Sequence, residues 1–243
     1  MDDTDAIECQ CGLNPLATKV VNGQEAEVNS IPWQVHLSIS DGWANFHCGG
    51  TIIGTHTVLT AAHCVDEVDN PEQITISVGD HDITTMMETG QVFYSVDEVI
   101  VDPKYDKIQI TNDFAILKTV EEIDFSQIAS PACLPSYPFS VSYTDGKLMR
   151  ASGWGWTENE ELSDVLMKVN LIGVSNIECC NQVYGLSYCD NYLDQLVPDV
   201  VLCAGNHSFL SRKHKYFNHY FSRKCDSRGW NLLWRQWRTF NTL

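Results

Sequence analysis

The chain has 243 residues, with 32 Asp and Glu against 15 Lys and Arg, a formal net charge of −17 at pH 7, and 10 cysteines. Its longest apolar runs, residues 57–62 and 197–204, are far shorter than the roughly 20 residues of a membrane-spanning helix, so we expect no membrane span. Residues 1–205 carry a formal charge of −24, which repels phosphate groups and argues against nucleic acid and anionic membranes as partners.

The cysteines and the N terminus bear on where the protein works. Ten cysteines dispersed along the chain, without the paired spacings of zinc sites, indicate an oxidising compartment and therefore a secreted, extracellular protein. Residues 1–5, Met-Asp-Asp-Thr-Asp, have neither the basic start nor the apolar stretch of a signal peptide. We therefore expect the natural chain to begin upstream of Met1; the alternative is a mature chain with an added Met.

Short apolar or alternating segments, separated by Gly, Pro, Asn and Asp, run from Val20 to about Ala204 and are typical of β-strands. The clearest predicted strands are residues 33–39, 73–78, 92–101 and 166–174. The best candidates for short helices are residues 174–180 and 191–196. The pattern predicts an all-β fold, either a barrel or a sandwich.

After Gly205 the strand pattern ends and the composition changes. Residues 206–243 hold 8 Lys and Arg against one acid, a formal charge of +7, and include tryptophans at positions 230, 234 and 237. This tail therefore differs in kind from the acidic body that precedes it.

Two short motifs carry candidate catalytic residues. Thr60-Ala61-Ala62-His63-Cys64 follows an apolar strand, and Asn112-Asp113-Phe114-Ala115-Ile116-Leu117 places an acid directly before a second buried strand. A histidine held by a buried carboxylate can take a proton from a serine hydroxyl, while the carboxylate fixes the imidazole tautomer and stabilises the imidazolium. His63 would be the base and Asp113 its orienting partner. Taken singly, a histidine beside a cysteine is usually a packed residue, and an Asp before a strand is usually a turn or cap residue.

Together with their flanks, the two motifs resemble the chymotrypsin-type family of serine proteases. Further matching segments, in the family's order, are Val20-Val21-Asn22-Gly23, Pro32-Trp33-Gln34-Val35, Cys48-Gly49-Gly50-Thr51-Ile52-Ile53, Cys133-Leu134-Pro135 and Gly153-Trp154-Gly155. The resemblance spans roughly residues 11–205. It implies a serine endopeptidase that acts on proteins or peptides through an acyl-enzyme and is bound by protein inhibitors. We expect no cofactor.

The resemblance also implies the architecture. The family's fold is two six-stranded antiparallel barrels with the active site between them. Residues 20–130 would form the first barrel and residues 131–205 part of the second, which is incomplete in this chain. Residues 1–19 would be the remnant of a propeptide, and residues 206–243 an anomalous tail.

Disulfides and an activation cleavage are implied in the same way. The implied disulfides are Cys48–Cys64, Cys180–Cys203 and Cys11–Cys133, of which the last would tether the propeptide to the body. Cleavage after Lys19 by an activating protease would free the ammonium group of Val20. The remaining cysteines are Cys179 and Cys189, which can close a local loop, and Cys9 and Cys225, which have no obvious partner.

The nucleophile is where the resemblance fails. The family's serine lies in Gly-Asp-Ser-Gly-Gly-Pro, whose amides form an oxyanion hole that lowers the barrier by about 3–4 kcal/mol. This run is absent from the sequence. Ser227, in Cys225-Asp226-Ser227-Arg228-Gly229, is a poor substitute because the preceding Gly is missing and Arg stands where the next Gly belongs.

A shifted reading frame accounts for the missing serine. Tryptophan has a single codon, TGG, so the triplets that start one base inside the codons of Trp234 and Trp237 encode glycine. The codons through Phe240 permit the shifted frame to encode Gly-Asp-Ser-Gly-Gly-Pro-Leu, and those of Leu232 and Leu233 permit the family's Cys two places earlier. We infer that the tail is out of frame, through a sequencing error, an unrecognised intron or an inactivating mutation; coincidence is the alternative.

Three functions therefore remain open: a serine endopeptidase that is inactive as written, a protease-like binding or regulatory module, and a non-functional gene product. In the shifted frame Trp230 becomes a Gly at the base of the specificity pocket, where trypsin-like members carry Asp. The restored enzyme would thus lack the acidic anchor for Lys or Arg. Asp80, Asp82 and Glu88 would suit a calcium ion, but such clusters are more often solvated surface, and we expect no metal.

Overall fold

A computed structural model gives the architecture. It describes residues 11–13, 23–40, 44–85, 87–88, 90–108, 110–134, 145–157, 161–175, 178, 203–205, 220–223 and 230–233, and the backbone alone for residues 203, 220–223 and 230–233. The strands are β1 (Gln24–Glu25), β2 (Gln34–Ser40), β3 (Asn45–Gly54), β4 (Thr57–Thr60), β5 (Ile74–Val78), β6 (Val92–Val101), β7 (Ala115–Thr119), β8 (Leu148–Gly153), β9 (Met167–Val174), β10 (Cys203–Gly205), β11 (Tyr220–Arg223) and β12 (Trp230–Leu233).

Six strands close into a barrel in the order β2-β3-β4-β7-β6-β5, and every neighbouring pair is antiparallel. Successive side chains of a strand point to opposite faces, so one face of each strand can line the interior of the barrel. In β2, Val35, Leu37 and Ile39 are buried and belong to the core. Ile76 of β5 and Leu117 of β7 lie in the same core. The prediction of an all-β fold with a six-stranded barrel is confirmed.

Gly50 of β3 occupies a position where no side chain fits. A Cβ atom there would lie 2.8 Å from Cγ1 of Val58 and 2.9 Å from Cγ2 of Val35, closer than carbon atoms approach. Glycine therefore lets β3 pass between its two neighbours in the barrel wall, β2 and β4.

The second sheet is built around β9, which pairs antiparallel with β1, β8 and β10. Among the described residues these four strands form an open sheet and not a closed barrel. The backbones of β11 and β12 pair with each other as a separate antiparallel hairpin. No helix within the described part of the chain is long and apolar enough to cross a membrane.

The short strand β1 belongs to the second sheet, although it precedes the barrel in the chain. Gln24 and Glu25 of β1 pair with Lys168 and Met167 of β9, so this short segment adds a strand to the second sheet before the chain enters the first barrel. Ala26 continues the contact, since its amide donates to the carbonyl of Leu166 at 2.7 Å.

The seam between barrel and sheet is held by backbone hydrogen bonds from the segment after β5. The amide of Leu166 donates to the carbonyl of His81 at 2.8 Å, and the amide of Ile83 donates to the carbonyl of Asp164 at 2.9 Å. The indole Nε1 of Trp154 also donates to the carbonyl of His81 at 2.8 Å. His81 thus anchors two different segments of the second half.

Two disulfides lie within the described residues. Cys48 of β3 is bonded to Cys64, and Cys11 is bonded to Cys133 across a sequence separation of 122 residues. The amide of Gly12, next to Cys11, donates to the carbonyl of Pro131 at 2.7 Å. The segment around Cys11 is therefore fixed to the residues that follow the first barrel.

Candidate active site

His63 lies in a short 3-10 helix, Ala62–Cys64, directly after β4. The turn is rigid because Ala62 is fully buried and Cys64 is bonded to Cys48 of the neighbouring strand. The hydroxyl of Thr60 adds a hydrogen bond to the carbonyl of Gly49 at 2.8 Å, which ties the end of β4 to β3. The local sequence thus fixes the backbone from which the imidazole projects.

Asp113 precedes β7, whose first residue, Ala115, pairs with Thr60 at the end of β4, so Asp113 and His63 lie at the same end of two neighbouring strands. His63 Nδ1 lies 2.6 Å from Asp113 Oδ2, and the backbone amide of His63 donates to Asp113 Oδ1 at 2.9 Å. The Asp113 side chain is 3% exposed and that of His63 is 18% exposed. Both carboxylate oxygens therefore act on a single residue, and only the imidazole reaches the surface.

This geometry determines what the imidazole can do. Because Nδ1–H donates to the carboxylate, the neutral ring carries its free lone pair on Nε2. Nε2 lies 3.8 Å from Sγ of Cys64, the next residue in the chain, which forms the disulfide with Cys48. A base oriented in this way can accept a proton from a hydroxyl placed opposite Nε2, and the buried carboxylate then stabilises the resulting imidazolium.

The backbone just before Asp113 is unusual. Ile110 and Asn112 have φ angles of 53° and 51°, in the left-handed region that a β-branched residue such as Ile rarely adopts. Asp106 and Thr111 exchange backbone hydrogen bonds of 3.0 and 3.3 Å, which close the loop that carries this strain. Strained backbone of this kind is often found beside functional sites.

Two loops that flank His63 and Asp113 are joined by an ion-pair cluster that sequence analysis did not identify. Lys107 Nζ lies 2.5 Å from Oε1 of Glu67 and 3.1 Å from Oδ2 of Asp66. The hydrogen bonds to Glu67 and Asp66 raise the pKa of Lys107, and the bond from Lys107 lowers the pKa of Glu67. Burial, with help from Asp66 and Asp113, raises the pKa of Tyr105 to about 12, so its hydroxyl stays neutral.

A sequence signal for this cluster existed. Asp66 and Glu67 directly follow the His63 motif, and Lys107 precedes the Asp113 motif. Once the two motifs are taken to meet in space, their charged flanks are brought close to one another. The inference requires the loop conformation, however, which the pattern of apolar residues does not specify.

The three carboxylates considered for calcium have protein partners in the structure. Asp80 Oδ2 lies 3.2 Å from His36, Asp82 accepts from Thr84, and Glu88 Oε2 accepts from the amides of His81 and Asp82. In the described part of the chain no three side chains of metal-binding type converge on one point.

Several predicted site residues lie outside the described residues. They are Lys19 and Val20 of the activation site, Ser227, and Cys180; for Cys203 the backbone alone is described, in β10. Cys9, Cys179, Cys189 and Cys225 also lie outside. The structure thus brings together His63 with Asp113, Cys48 with Cys64, and Cys11 with Cys133.

Comparison with known proteins identifies the family of the chain. A family model described as Trypsin matches residues 20–210. Venom serine protease 34 of Apis mellifera is 37% identical over 72% of this chain. Chymotrypsin-C of Rattus norvegicus is 34% identical over 68% of this chain. The solved structure of GrC matches with a TM-score of 0.61 and 25% identity, covering 77% of this chain and 76% of that one.

The chain therefore belongs to the trypsin family of serine proteases. It spans 44% of the length of the bee relative and 60% of the length of the rat relative.

Proposed function

We propose that this chain represents a serine endopeptidase in which His63 is the general base and Asp113 orients it. The contact between His63 Nδ1 and Asp113 Oδ2 at 2.6 Å carries the proposal. In such a site the base withdraws the proton of a serine hydroxyl, the oxygen attacks the peptide carbonyl, and the imidazolium then protonates the leaving amine. Asp113, which is buried and bonded through both oxygens, favours the required tautomer and the charged form that follows.

We propose further that the chain as written is inactive, because the nucleophile and the oxyanion hole are missing from its sequence. Gly-Asp-Ser-Gly-Gly-Pro is absent, and Ser227 lacks the flanking glycines. The family match ends at residue 210, which supports the view that the remaining residues are not protease sequence. Without a hydroxyl opposite Nε2, the His63 base has nothing to activate.

Sequencing the transcript across the codons of residues 200–243 tests the origin of the tail. If one base is missing or extra, the corrected frame should encode Gly-Asp-Ser-Gly-Gly-Pro, with its serine in the codons of residues 236 and 237. An uninterrupted frame with no alternative transcript would contradict the frame-shift hypothesis and leave an inactive relative.

A fluorophosphonate probe, which reacts with activated serines, tests the activity itself. The frame-corrected chain, activated at Lys19, should label and turn over peptides, and its His63→Ala variant should do neither. The chain as written should not label. Labelling of the uncorrected chain that depends on His63 would overturn the claim of inactivity and make Ser227 the leading nucleophile.

A second candidate function is a protease-like module that binds or regulates other proteins without cleaving them. The absence of the serine motif from an otherwise matching sequence favours it. Secretion of the uncorrected chain as a stable protein that never labels would support this module, whereas failure to accumulate would indicate a non-functional product.

Activation, localisation and partners are proposed together. We infer secretion from the disulfides, an activating protease that cleaves after Lys19, and protein substrates and inhibitors as partners. If the Cys11–Cys133 disulfide tethers the propeptide, cleavage at Lys19 should create an N terminus at Val20 while the propeptide stays attached until reduction. N-terminal sequencing with non-reducing electrophoresis checks both points; release of the propeptide without a reductant would contradict the tether.

Specificity is proposed from the shifted frame alone. Since the codon of Trp230 then encodes Gly where trypsin-like members carry Asp, the restored enzyme should not require Arg or Lys before the cleaved bond. Turnover of a mixed peptide library measures this preference, and cleavage confined to Arg and Lys would show the inference to be wrong.

A further inference from the structure

Three titratable side chains outside the candidate active site form a chain of contacts from the surface into the protein. His47 of β3 is exposed, whereas His36 of β2 and Asp80, which follows β5, are buried. His36 Nε2 lies 2.9 Å from His47 Nδ1, and His36 Nδ1 lies 3.2 Å from Asp80 Oδ2. The buried His36 therefore has one ring nitrogen on each neighbour.

The rings of the two histidines meet edge to edge through this contact, because their centroids are 5.0 Å apart with an interplanar angle of 17°. The ring centroids of Trp154 and His36 are 5.5 Å apart at an interplanar angle of 60°, a T-shaped arrangement. His47 thus occupies the Nε2 side of the buried His36, and Trp154 packs against the His36 ring. Trp154 also donates to the carbonyl of His81, at the seam between barrel and sheet.

Asp80 depends on this arrangement. Its Oδ1 is buried and has no hydrogen-bond partner among the described residues, so its Oδ2 contact with His36 is the one that compensates its charge. A buried carboxylate that loses its partner is strongly destabilised, because neither water nor protein then solvates it. Access of water to His36 and Asp80 would consequently loosen the packing around them.

The contact between the histidines can hold only a limited number of protons. With Nδ1–H of His36 directed at Asp80, the 2.9 Å contact contains one proton, donated either by His47 or by a charged His36. One added proton is therefore accommodated. When both rings are protonated, each of the two facing nitrogens carries a hydrogen, the hydrogen bond is lost, and two like charges face each other.

We propose that His47 is a proton-operated cover on the buried Asp80–His36 pair. It stays in place while the two rings share at most one added proton, and it turns out into solvent when both are protonated. The seam beside His81 then loosens. The cover needs no nucleophile, so the proposal holds for the chain as written and does not depend on protease activity.

The charged groups around this network are few among the described residues. Asp80 and His47 face His36 directly. On the neighbouring seam, Glu25 of β1 lies 3.0 Å from His81 Nε2, and Glu88 accepts from the amides of His81 and Asp82. These carboxylates stabilise His81, whereas Trp154 brings no charge to the His36 ring.

The direction of the pH effect follows from His47. Burial, and then the neighbouring His36, lower the pKa of His47 below its ordinary value of 6.5, against a smaller opposing effect of Asp80. The unfolded chain therefore binds this proton at a higher pH than the folded chain does. The contribution of His47 to the free energy of unfolding is therefore fully present above pH 6.5 and decreases as the pH drops below that value. It stops decreasing once His47 is protonated in the folded chain as well.

NMR on the full chain, in the presence of a chelator, tests the cover without relying on a variant. The indole proton of Trp154, assigned with Trp154→Phe, should stay in place while the two rings share one added proton and should shift below pH 6.5, at the step that leaves both rings protonated. The amides of Leu166 and Ile83 should lose about fivefold of their exchange protection through that step, the factor expected for one hydrogen bond of ordinary strength. His47→Gln should remove both changes.

The matched control is His56→Gln, which removes another exposed histidine of the same barrel, one that lies 3.2 Å from the carbonyl of Thr119. This variant should retain both changes. A Trp154 signal in the wild-type chain that does not move at the step that leaves both rings protonated would overturn the proposal. A signal that moves equally in His47→Gln would overturn it as well.

Discussion

The first barrel and the second sheet differ in whether one continuous segment of the chain supplies all of their strands. The strands of the barrel come from the continuous segment between Gln34 and Thr119, and every strand edge finds its partner within that segment. Among the described residues the second sheet stays open and borrows β1 from the start of the chain. Since His63 and Asp113 both belong to the barrel, the geometry of the base does not need the tail.

The largest expected effects on stability come from removing the two disulfides. Replacing Cys11 and Cys133 by Ser should destabilise the chain by about 5 kcal/mol, and replacing Cys48 and Cys64 by Ser should cost about 3 kcal/mol, because the longer loop restricts the unfolded chain more. The sequence separations are 122 and 16 residues. Urea unfolding under oxidising conditions measures both, and the reverse order would contradict this account.

A matched pair of leucines tests whether the barrel is the better-packed half. Leu117 of β7 is 0% exposed and Leu171 of β9 is 8% exposed. Leu117→Ala should lower the free energy of unfolding by about 2–5 kcal/mol, and Leu171→Ala should lower it less, because a more open site can relax around the deletion. Equal losses in urea titrations would show that the open sheet is packed as tightly as the barrel.

Gly50 tests the barrel wall from the opposite direction. Gly50→Ala should destabilise the chain by about 1–3 kcal/mol, since the added methyl group would lie 2.8 Å from Val58. Gly54→Ala is the control at the end of the same strand, where the nearest atoms to an added Cβ are 3.5 Å away on Thr57. If Gly50→Ala is as stable as Gly54→Ala, the neighbouring strands of the barrel can move apart enough to accommodate the added methyl group.

The smallest effect is expected at the ion pairs between the two loops beside the site. Lys107→Met should change the unfolding midpoint least of the series, because exposed ion pairs contribute little and are screened by salt. The unfolding midpoint of Lys107→Met should also depend less on salt concentration than that of the wild-type chain, because the salt-screened ion pairs are gone. A loss as large as that of Leu117→Ala would show that the loops, and not only the core, hold the barrel together.

Predicted and observed strands agree closely where the apolar pattern alone decides. The pattern predicts a strand over residues 92–101, and β6 has these bounds. The predicted strand 166–174 begins one residue early because Leu166 bonds to His81 and Ala26 at the seam and not to a partner in β8 or β10. The predicted strand 73–78 includes Gln73, which instead ends a 3-10 helix capped by Asn70.

The site could be predicted only through the resemblance. His63 and Asp113 are 50 residues apart in sequence, and no local pattern states that they meet. The sequence does not predict the contact of His36 with Asp80 or the pairing of β1 with β9, for a related reason. Each joins segments that are distant in sequence, and the period of apolar residues does not reveal which distant segments meet.

The central claim is that the first barrel by itself assembles a base with its orienting carboxylate. Proton NMR of the uncorrected chain tests it most directly, because an imidazole Nδ1–H that is bonded to a buried carboxylate at 2.6 Å gives a far-downfield signal. We predict such a signal, lost in both Asp113→Ala and His63→Gln and retained in His36→Gln, which removes a second contact between a buried histidine and a buried carboxylate. Absence of the signal from a folded chain, or its survival in Asp113→Ala, would contradict the account.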